Sequence, residues 1–152
     1  MNIGDVAPNF ILKDETGKEF ELYKNLAKNV LLVFYPKDDT PVCSSQLAEY
    51  NDHLNEFINL GIIVIGINAD TTDSHRDFCS KLNLKFPLLS DEDKKVSSQY
   101  SALNFFGLNK RMLVLIGRDK IVKWMASTLS FRFIKTEEIL KKISSSDSKE
   151  MT

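Results

Sequence analysis

Hydrophobic positions along the chain follow two alternating patterns. Residues 30–35 and 62–68 are continuous apolar runs of strand length, which predicts two buried strands. Between them, residues 41–60 repeat apolar side chains at spacings of three and four, which predicts one long helix that ends before Gly61. This strand–helix–strand order predicts a parallel pair of central strands.

The rest of the chain continues the alternation of strands and helices. We expect an N-terminal hairpin from residues 10–13 and 19–22, helices over 73–82, 93–100 and 136–143, and a second hairpin from 112–116 and 120–125. Residues 144–152 are polar and rich in serine, which predicts a disordered tail. The pattern therefore predicts one α/β domain over residues 1–143.

Charge and composition exclude several classes of protein. The 152 residues carry 20 basic and 21 acidic side chains, so the charges are balanced. This balance does not indicate a protein that binds nucleic acid or a membrane surface. No apolar run approaches the roughly 20 residues that span a bilayer. The start of the chain has no export-signal pattern, so we expect a cytoplasmic, reducing location. There, two cysteines indicate redox chemistry more often than a structural disulfide.

Candidate chemistry is concentrated between the first buried strand and the long helix. Thr40 suits the N-cap and Pro41 the first helical position, which places Cys43 in the first turn. There the helix dipole and free backbone N–H groups stabilise a thiolate, the nucleophilic form of cysteine. The alternative at this point is a buried, inert cysteine.

These residues resemble a known family. The spacing Pro36-x3-Thr40-x2-Cys43 resembles the peroxiredoxin signature, and Gln46 with the Phe34–Lys37 block resembles its bacterioferritin-comigratory, or Q-type, branch. Further matching blocks lie at residues 4–10, 64–70 and 86–91. The resemblance implies a thioredoxin-like fold, in which helices flank a central mixed sheet and an N-terminal hairpin extends it.

The resemblance also implies roles for individual residues. Cys43 would attack the peroxide, Thr40 would hold a peroxide oxygen, and Pro36 would shield the pocket from water. Arg111, at the entrance of a late strand, would stabilise the thiolate and the charge that moves onto the leaving oxygen. The chain departs from the family pattern at Asn51, where an arginine is common, and at Leu113 and Gly117.

The resemblance implies that Cys79 is the second cysteine of the catalytic cycle. Many members of the branch carry a resolving cysteine at the position of Ala48, whereas a subset uses one in the helix that contains Cys79. Cysteines on separate helices rarely satisfy disulfide geometry at rest, so we expect local unwinding after Thr40 and in the second helix. The alternative is that Cys79 is a packed core residue.

The sequence therefore predicts a thiol-dependent peroxidase that reduces hydrogen peroxide and organic hydroperoxides. It would use a thioredoxin-like reductant, need no metal or other cofactor, and exist as a monomer or weak homodimer. The alternatives are a one-cysteine peroxidase and a non-catalytic thioredoxin-fold interaction module; a disulfide reductase would need a Cys-x-x-Cys pair, which is absent. His53 and His75 are interpreted as solvated helix residues.

Overall fold

The structure is a computed structural model that describes residues 1–150, and of residues 145–150 the backbone alone. Seven strands form one sheet: β1 (Ile11–Lys13), β2 (Glu19–Glu21), β3 (Asn29–Phe34), β4 (Ile62–Asn68), β5 (Leu88–Ser90), β6 (Arg111–Ile116) and β7 (Val122–Thr128). Their spatial order is β2-β1-β5-β4-β3-β6-β7, which places β3 and β4 in the interior of the sheet.

Five α-helices and one short 3-10 helix connect or cover these strands. They are the 3-10 helix Leu22–Asn25, α1 (Pro41–Asp52), α2 (Leu54–Asn59), α3 (Thr72–Leu82), α4 (Lys95–Gln99) and α5 (Thr136–Glu150). Within residues 1–150, no helix combines the length and the apolar character that crossing a bilayer requires.

The central strand β3 determines where the two halves of the core lie. It runs parallel to β4 and antiparallel to β6. Successive side chains of a strand point to opposite faces. Residues 30, 32 and 34 accordingly pack into one apolar cluster, and residues 31, 33 and 35 into another. Helices α1, α2, α3 and α5 contribute to the second cluster and α4 to the first, so both faces of the sheet are covered.

The predicted fold class is confirmed. The sheet is mixed, helices flank it, and the β1–β2 hairpin extends it by pairing β1 antiparallel to β5. The predicted parallel pair is β3–β4, and the second hairpin is β6–β7. The assignment of residues 1–143 to one domain stays a prediction.

Two predicted helix boundaries were wrong. The helix expected over residues 41–60 is divided at His53, whose backbone (φ −106°, ψ 17°) lies between α1 and α2. The apolar spacing continues across this break, which is why the pattern alone predicted one helix. Helix α5 continues to Glu150, beyond the predicted end at Ile143. Of the tail predicted over 144–152, residues 151–152 lie outside the described residues.

Candidate active site

Cys43 lies in the first turn of α1, directly beyond the carboxyl end of β3. Thr40 is the N-cap residue, with an extended backbone (φ −101°, ψ 155°), and Pro41 is the first helical residue. This matches the predicted placement. The Thr40 hydroxyl does not cap the helix; it donates to the carbonyl of Lys37 at 3.1 Å. The Cys43 side chain belongs to the second core cluster, and the residue is only 1% exposed.

Arg111 is the buried cation of this site. It is the first residue of β6, and the antiparallel pairing of β6 with β3 brings it beside α1. Its Nη2 donates to Cys43 Sγ at 3.4 Å and to the carbonyl of Ser130 at 2.8 Å. The contact places a fixed positive charge beside the Cys43 sulfur. The Nε–H group is buried and has no hydrogen-bond partner among the described residues.

Gln46 and Tyr50 hold the guanidinium in place. Gln46 lies one turn after Cys43 on α1, and its Oε1 accepts from Arg111 Nη1 at 2.5 Å. Gln46 Nε2 in turn donates to the Tyr50 hydroxyl at 3.3 Å, which donates to the carbonyl of Ile134 at 2.6 Å. Burial raises the pKa of Tyr50, so its hydroxyl remains a neutral donor. The sequence gives one indication of these hydrogen bonds: Gln46 is a polar residue on the apolar face of α1, where it needs a partner.

The segment between β7 and α5 forms the outer wall beside the first turn of α1. A cavity of about 330 Å³ lies there. Its lining combines apolar rings with two cations and includes Pro41, Val42, Ser45, Phe131, Arg132, Phe133 and Lys135. Pro36 is half-buried at the other end of the loop that precedes α1, residues 36–40.

A buried carboxylate anchors the loop of residues 36–40 to the protein interior. Asp38 is 6% exposed; its Oδ1 accepts from the Tyr35 hydroxyl at 2.5 Å, and its Oδ2 lies 2.6 Å from His75 Nδ1. Burial alone would raise the pKa of Asp38, but the hydrogen bond and charge of His75, with the Tyr35 and Ser74 hydroxyls, bring it below the ordinary value.

The interpretation of His75 as a solvated residue was wrong. His75 is fully buried and contacts both Asp38 and the carbonyl of Leu89. The signal for its burial was its position one turn before Cys79 on the face of α3 that also carries Phe78. His53 is partly exposed, as predicted, and its ring lies 3.3 Å from both Glu49 and Glu56.

Cys79 lies in the last turn of α3, and its side chain packs against the same apolar cluster as Cys43. Both cysteines are free thiols. Burial is the main cause that raises the pKa of Cys79 to about 12, and the carboxylates of Glu15, Asp38 and Asp14 add to it. Cys79 is therefore a protonated thiol at neutral pH in this conformation.

Asn51, one of the departures from the family pattern, connects α1 to the end of α3. Its Nδ2 donates to the carbonyl of Asn83 at 3.0 Å, and its Oδ1 accepts from the backbone N–H of Lys85 at 2.8 Å. The other two departures have no such role: Leu113 packs in the core, and Gly117 lies in the β6–β7 turn.

Comparison with known proteins identifies the family of this chain. The family described as the AhpC/TSA family matches residues 3–125. A putative peroxiredoxin bcp from Helicobacter pylori is 40% identical over 113 residues, which cover 74% of this chain and 71% of the relative. A chloroplastic peroxiredoxin Q from Triticum aestivum is 39% identical over 124 residues, or 80% of this chain and 57% of the relative, so the chain spans little more than half of that protein.

Solved structures give the same result for the fold. A PrxQ variant from Xylella fastidiosa superposes with a TM-score of 0.85 at 28% identity, covering 95% of this chain and 96% of the other. A reduced 2-Cys peroxiredoxin from Plasmodium vivax has a TM-score of 0.90 at 27% identity, covering both chains fully. The thioredoxin-like fold is thereby confirmed. Together, the family match and the relatives show that this chain belongs to the AhpC/TSA family and, within it, to the bacterioferritin-comigratory and Q-type branch of the peroxiredoxins.

Proposed function

We propose that the chain is a peroxiredoxin in which Cys43 is the peroxidatic residue. The observation that carries this proposal is the 3.4 Å contact from the buried Arg111 guanidinium to Cys43 Sγ. The thiolate attacks the terminal oxygen of a hydroperoxide, the O–O bond breaks, and the leaving oxygen takes a proton to give water or an alcohol. Cys43 becomes a sulfenic acid in this step.

The neighbouring residues support the transfer. As negative charge moves from sulfur to the leaving oxygen, the Arg111 guanidinium stabilises it, and its Nε–H is a donor without a described protein partner. The Thr40 hydroxyl holds a peroxide oxygen beside the sulfur. Pro36 limits the access of water to the loop. The expected substrates are hydrogen peroxide and organic hydroperoxides.

In the second half of the cycle, Cys79 resolves the sulfenic acid as an intramolecular disulfide. Both cysteines contact one apolar cluster on one face of the sheet, which supports this pairing. A cysteine within a helix must leave that helix to form the bond, so the first turn of α1 and part of α3 unwind. An external dithiol of the thioredoxin type then reduces the disulfide by exchange. We further propose a cytoplasmic monomer or weak homodimer.

A one-cysteine cycle is the second candidate. It is favoured by the burial of the Cys79 thiol, whose pKa is raised to about 12. In this version Cys79 is a packing residue, and an external thiol attacks the Cys43 sulfenic acid directly.

Mass spectrometry of the reduced protein after one equivalent of hydrogen peroxide tests both cycles. We expect wild type to lose two hydrogens and a Cys79→Ser variant to carry a Cys43 sulfenic or sulfinic acid. Sulfenic acid in both proteins would establish the one-cysteine cycle. Unmodified Cys43 in both would contradict the peroxidase assignment of this residue, and a Cys43→Ser variant supplies the control for oxidation elsewhere.

A further inference from the structure

The loop of residues 36–40, here called the peroxidatic loop, meets α3 at a buried cluster of polar side chains. We call these side chains the Asp38 cluster. Both carboxylate oxygens of Asp38 accept two hydrogen bonds each. The four donors are the Tyr35 hydroxyl, Asn68 Nδ2 at 3.2 Å, the Ser74 hydroxyl at 2.8 Å and His75 Nδ1. A carboxylate whose lone pairs are all satisfied stays ionised when it is buried.

The ring of His75 is held at both of its nitrogens. Nδ1 faces the Asp38 carboxylate at 2.6 Å, and Nε2 faces the carbonyl oxygen of Leu89 at 3.0 Å. Asp38 and His75 therefore form a buried pair that joins the loop to α3. Removal of His75 leaves the buried Asp38 carboxylate without one of its four donors.

The position of this pair connects the two cysteines. Asp38 lies on the peroxidatic loop, two residues before Thr40 and five before Cys43. His75 lies on α3, four residues before Cys79, so the two side chains occupy the same face of that helix one turn apart. If α3 unwinds far enough to release Cys79, the unwinding either breaks the hydrogen bonds of His75 or ends between His75 and Cys79.

A second contact between the same two segments has the opposite character. Lys81 Nζ lies 2.6 Å from Asp39 Oδ1, but the two side chains are 63% and 59% exposed. Exposed ion pairs contribute little to stability because water competes for both charges. The Lys81–Asp39 pair is therefore a matched comparison for the buried pair: it joins the same two segments through an aspartate, without the burial.

We propose that the buried Asp38–His75 pair holds α3 closed against the peroxidatic loop and thereby sets how the Cys43 sulfenic acid is consumed. The proposal rests on the resolving role of Cys79 proposed above. Asp38 and His75 are positioning residues in this proposal, because they act through α3 and touch neither peroxide nor sulfur.

Two reactions compete for the sulfenic acid. In the first, the Cys79 thiolate attacks the Cys43 sulfur, the S–O bond breaks, an S–S bond forms, and the thiol proton leaves with the hydroxyl as water. In the second, a further hydroperoxide transfers an oxygen to the same sulfur, giving sulfinic acid and an alcohol or water. Only the first requires α3 to open, so a more stable closed state favours sulfinic acid.

The test compares His75→Gln and Ser74→Ala with the control Lys81→Gln. Amide hydrogen exchange of residues 76–82 in the reduced proteins measures the opening of α3, and mass spectrometry over a range of peroxide excess measures the ratio of disulfide to sulfinic acid. For His75→Gln we expect faster exchange and a ratio raised about tenfold, because loss of the buried partner destabilises the closed state. Ser74→Ala should shift both in the same direction by about threefold, and Lys81→Gln by less than about twofold.

A second control, Val122→Ala, shows whether a general loss of stability has the same effect as the loss of His75. This variant creates a cavity in the apolar cluster on the other face of the sheet. If Val122→Ala raises the ratio as much as His75→Gln at equal loss of unfolding free energy, the proposal is wrong. It is also wrong if exchange in α3 and the ratio are unchanged in both His75→Gln and Ser74→Ala. If Cys43 oxidises but no variant forms the disulfide, the resolving role and this proposal both fail, while the peroxidase assignment stands. Should His75→Gln not fold, Ser74→Ala decides between these outcomes.

Discussion

The two cysteines of this chain lie in helices on the same face of one sheet, yet their surroundings are opposite. Cys43 is in the first turn of α1, where backbone N–H groups are unpaired by the helix, and a guanidinium contacts its sulfur. Cys79 is in the last turn of α3, where its carbonyl accepts from the backbone N–H of the C-cap residue Asn83, and its charged neighbours are carboxylates. Cys43 is fully buried and Cys79 is partly buried, so burial alone does not determine which one reacts.

In the proposed cycle, Cys43 is the attacking thiol and Cys79 the resolving one. A cation and a helix start lie beside the Cys43 sulfur, whereas burial and neighbouring carboxylates raise the pKa of Cys79 and keep it protonated until its helix opens. The proposed reaction order, first Cys43 and then Cys79, agrees with this reduced conformation. Each prediction below alters one side of this contrast.

The largest expected effect is on the reactivity of Cys79. In a Cys43→Ser variant at pH 8, we expect iodoacetamide to modify native Cys79 about a thousandfold more slowly than the unfolded chain, because the pKa is raised from 9.0 to about 12. The native rate should still be rising with pH above 9, where the rate for the unfolded chain levels off. Time-resolved mass spectrometry measures the rate, and equal rates in the native and unfolded chains would remove the contrast.

Loss of the cation should be next in size. Arg111→Met removes the donors to Cys43 Sγ and Gln46 Oε1, and we expect the second-order rate with hydrogen peroxide to fall about a hundredfold. The control is Arg118→Met, an exposed arginine beyond the far end of β6. Competition for peroxide with a reference thiol measures the rate, and equal effects of the two variants would show that the contact with sulfur is unimportant.

A smaller effect is expected at Thr40. Thr40→Val keeps the shape of the side chain and removes the hydroxyl that we place beside the peroxide, so the same rate should fall about tenfold. Thr40→Ser retains the hydroxyl and should recover most of the loss. If Thr40→Val reacts at the rate of wild type, the hydroxyl has no part in holding the substrate.

The smallest expected effect is on stability in acid. Since the pKa of Asp38 is lowered in the folded state, its ionised form stabilises the fold above its usual pKa of about 3.9, and this contribution is lost as the pH falls below that value. The difference in unfolding free energy between wild type and Asp38→Asn should therefore shrink between pH 5 and pH 3 in urea titrations. Asp119→Asn is the control, because Asp119 is exposed and its pKa is lowered mainly by the hydrogen bond from Lys123. If the two variants show the same pH dependence, the burial of Asp38 does not determine its contribution to stability in acid.

Much of the fold could be predicted from the sequence because its signals are local. The apolar runs of β3 and β4 have no polar interruption that would allow a surface position, and the spacing of α1 and α3 matches one buried helix face. The break at His53 could not be predicted this way. The apolar spacing continues through α2, and the change of backbone direction depends on contacts with the rest of the molecule.

The placement of Cys43 was also local, since Thr40 and Pro41 mark a helix start. The partners of the charged groups were not. The pairing of His75 with Asp38 joins residues 37 positions apart, and Gln46 with Arg111 joins residues 65 apart. Hydropathy ranks a histidine and a glutamine as polar, and only the folded chain brings each of them a buried partner.

The segment after β7 has a consequence for how short this protein can be made. The family match ends at residue 125, yet the carbonyl of Ser130 accepts from Arg111, and that of Ile134 ends the chain of bonds through Tyr50 and Gln46. A fragment cut at residue 128 would keep Pro36, Thr40, Cys43 and Arg111, and a motif search would still recognise it. Its guanidinium would lack the Ser130 carbonyl to which it donates, and Tyr50 would lack its acceptor at Ile134. Such a fragment would keep the whole family motif but lose part of the support that positions Arg111.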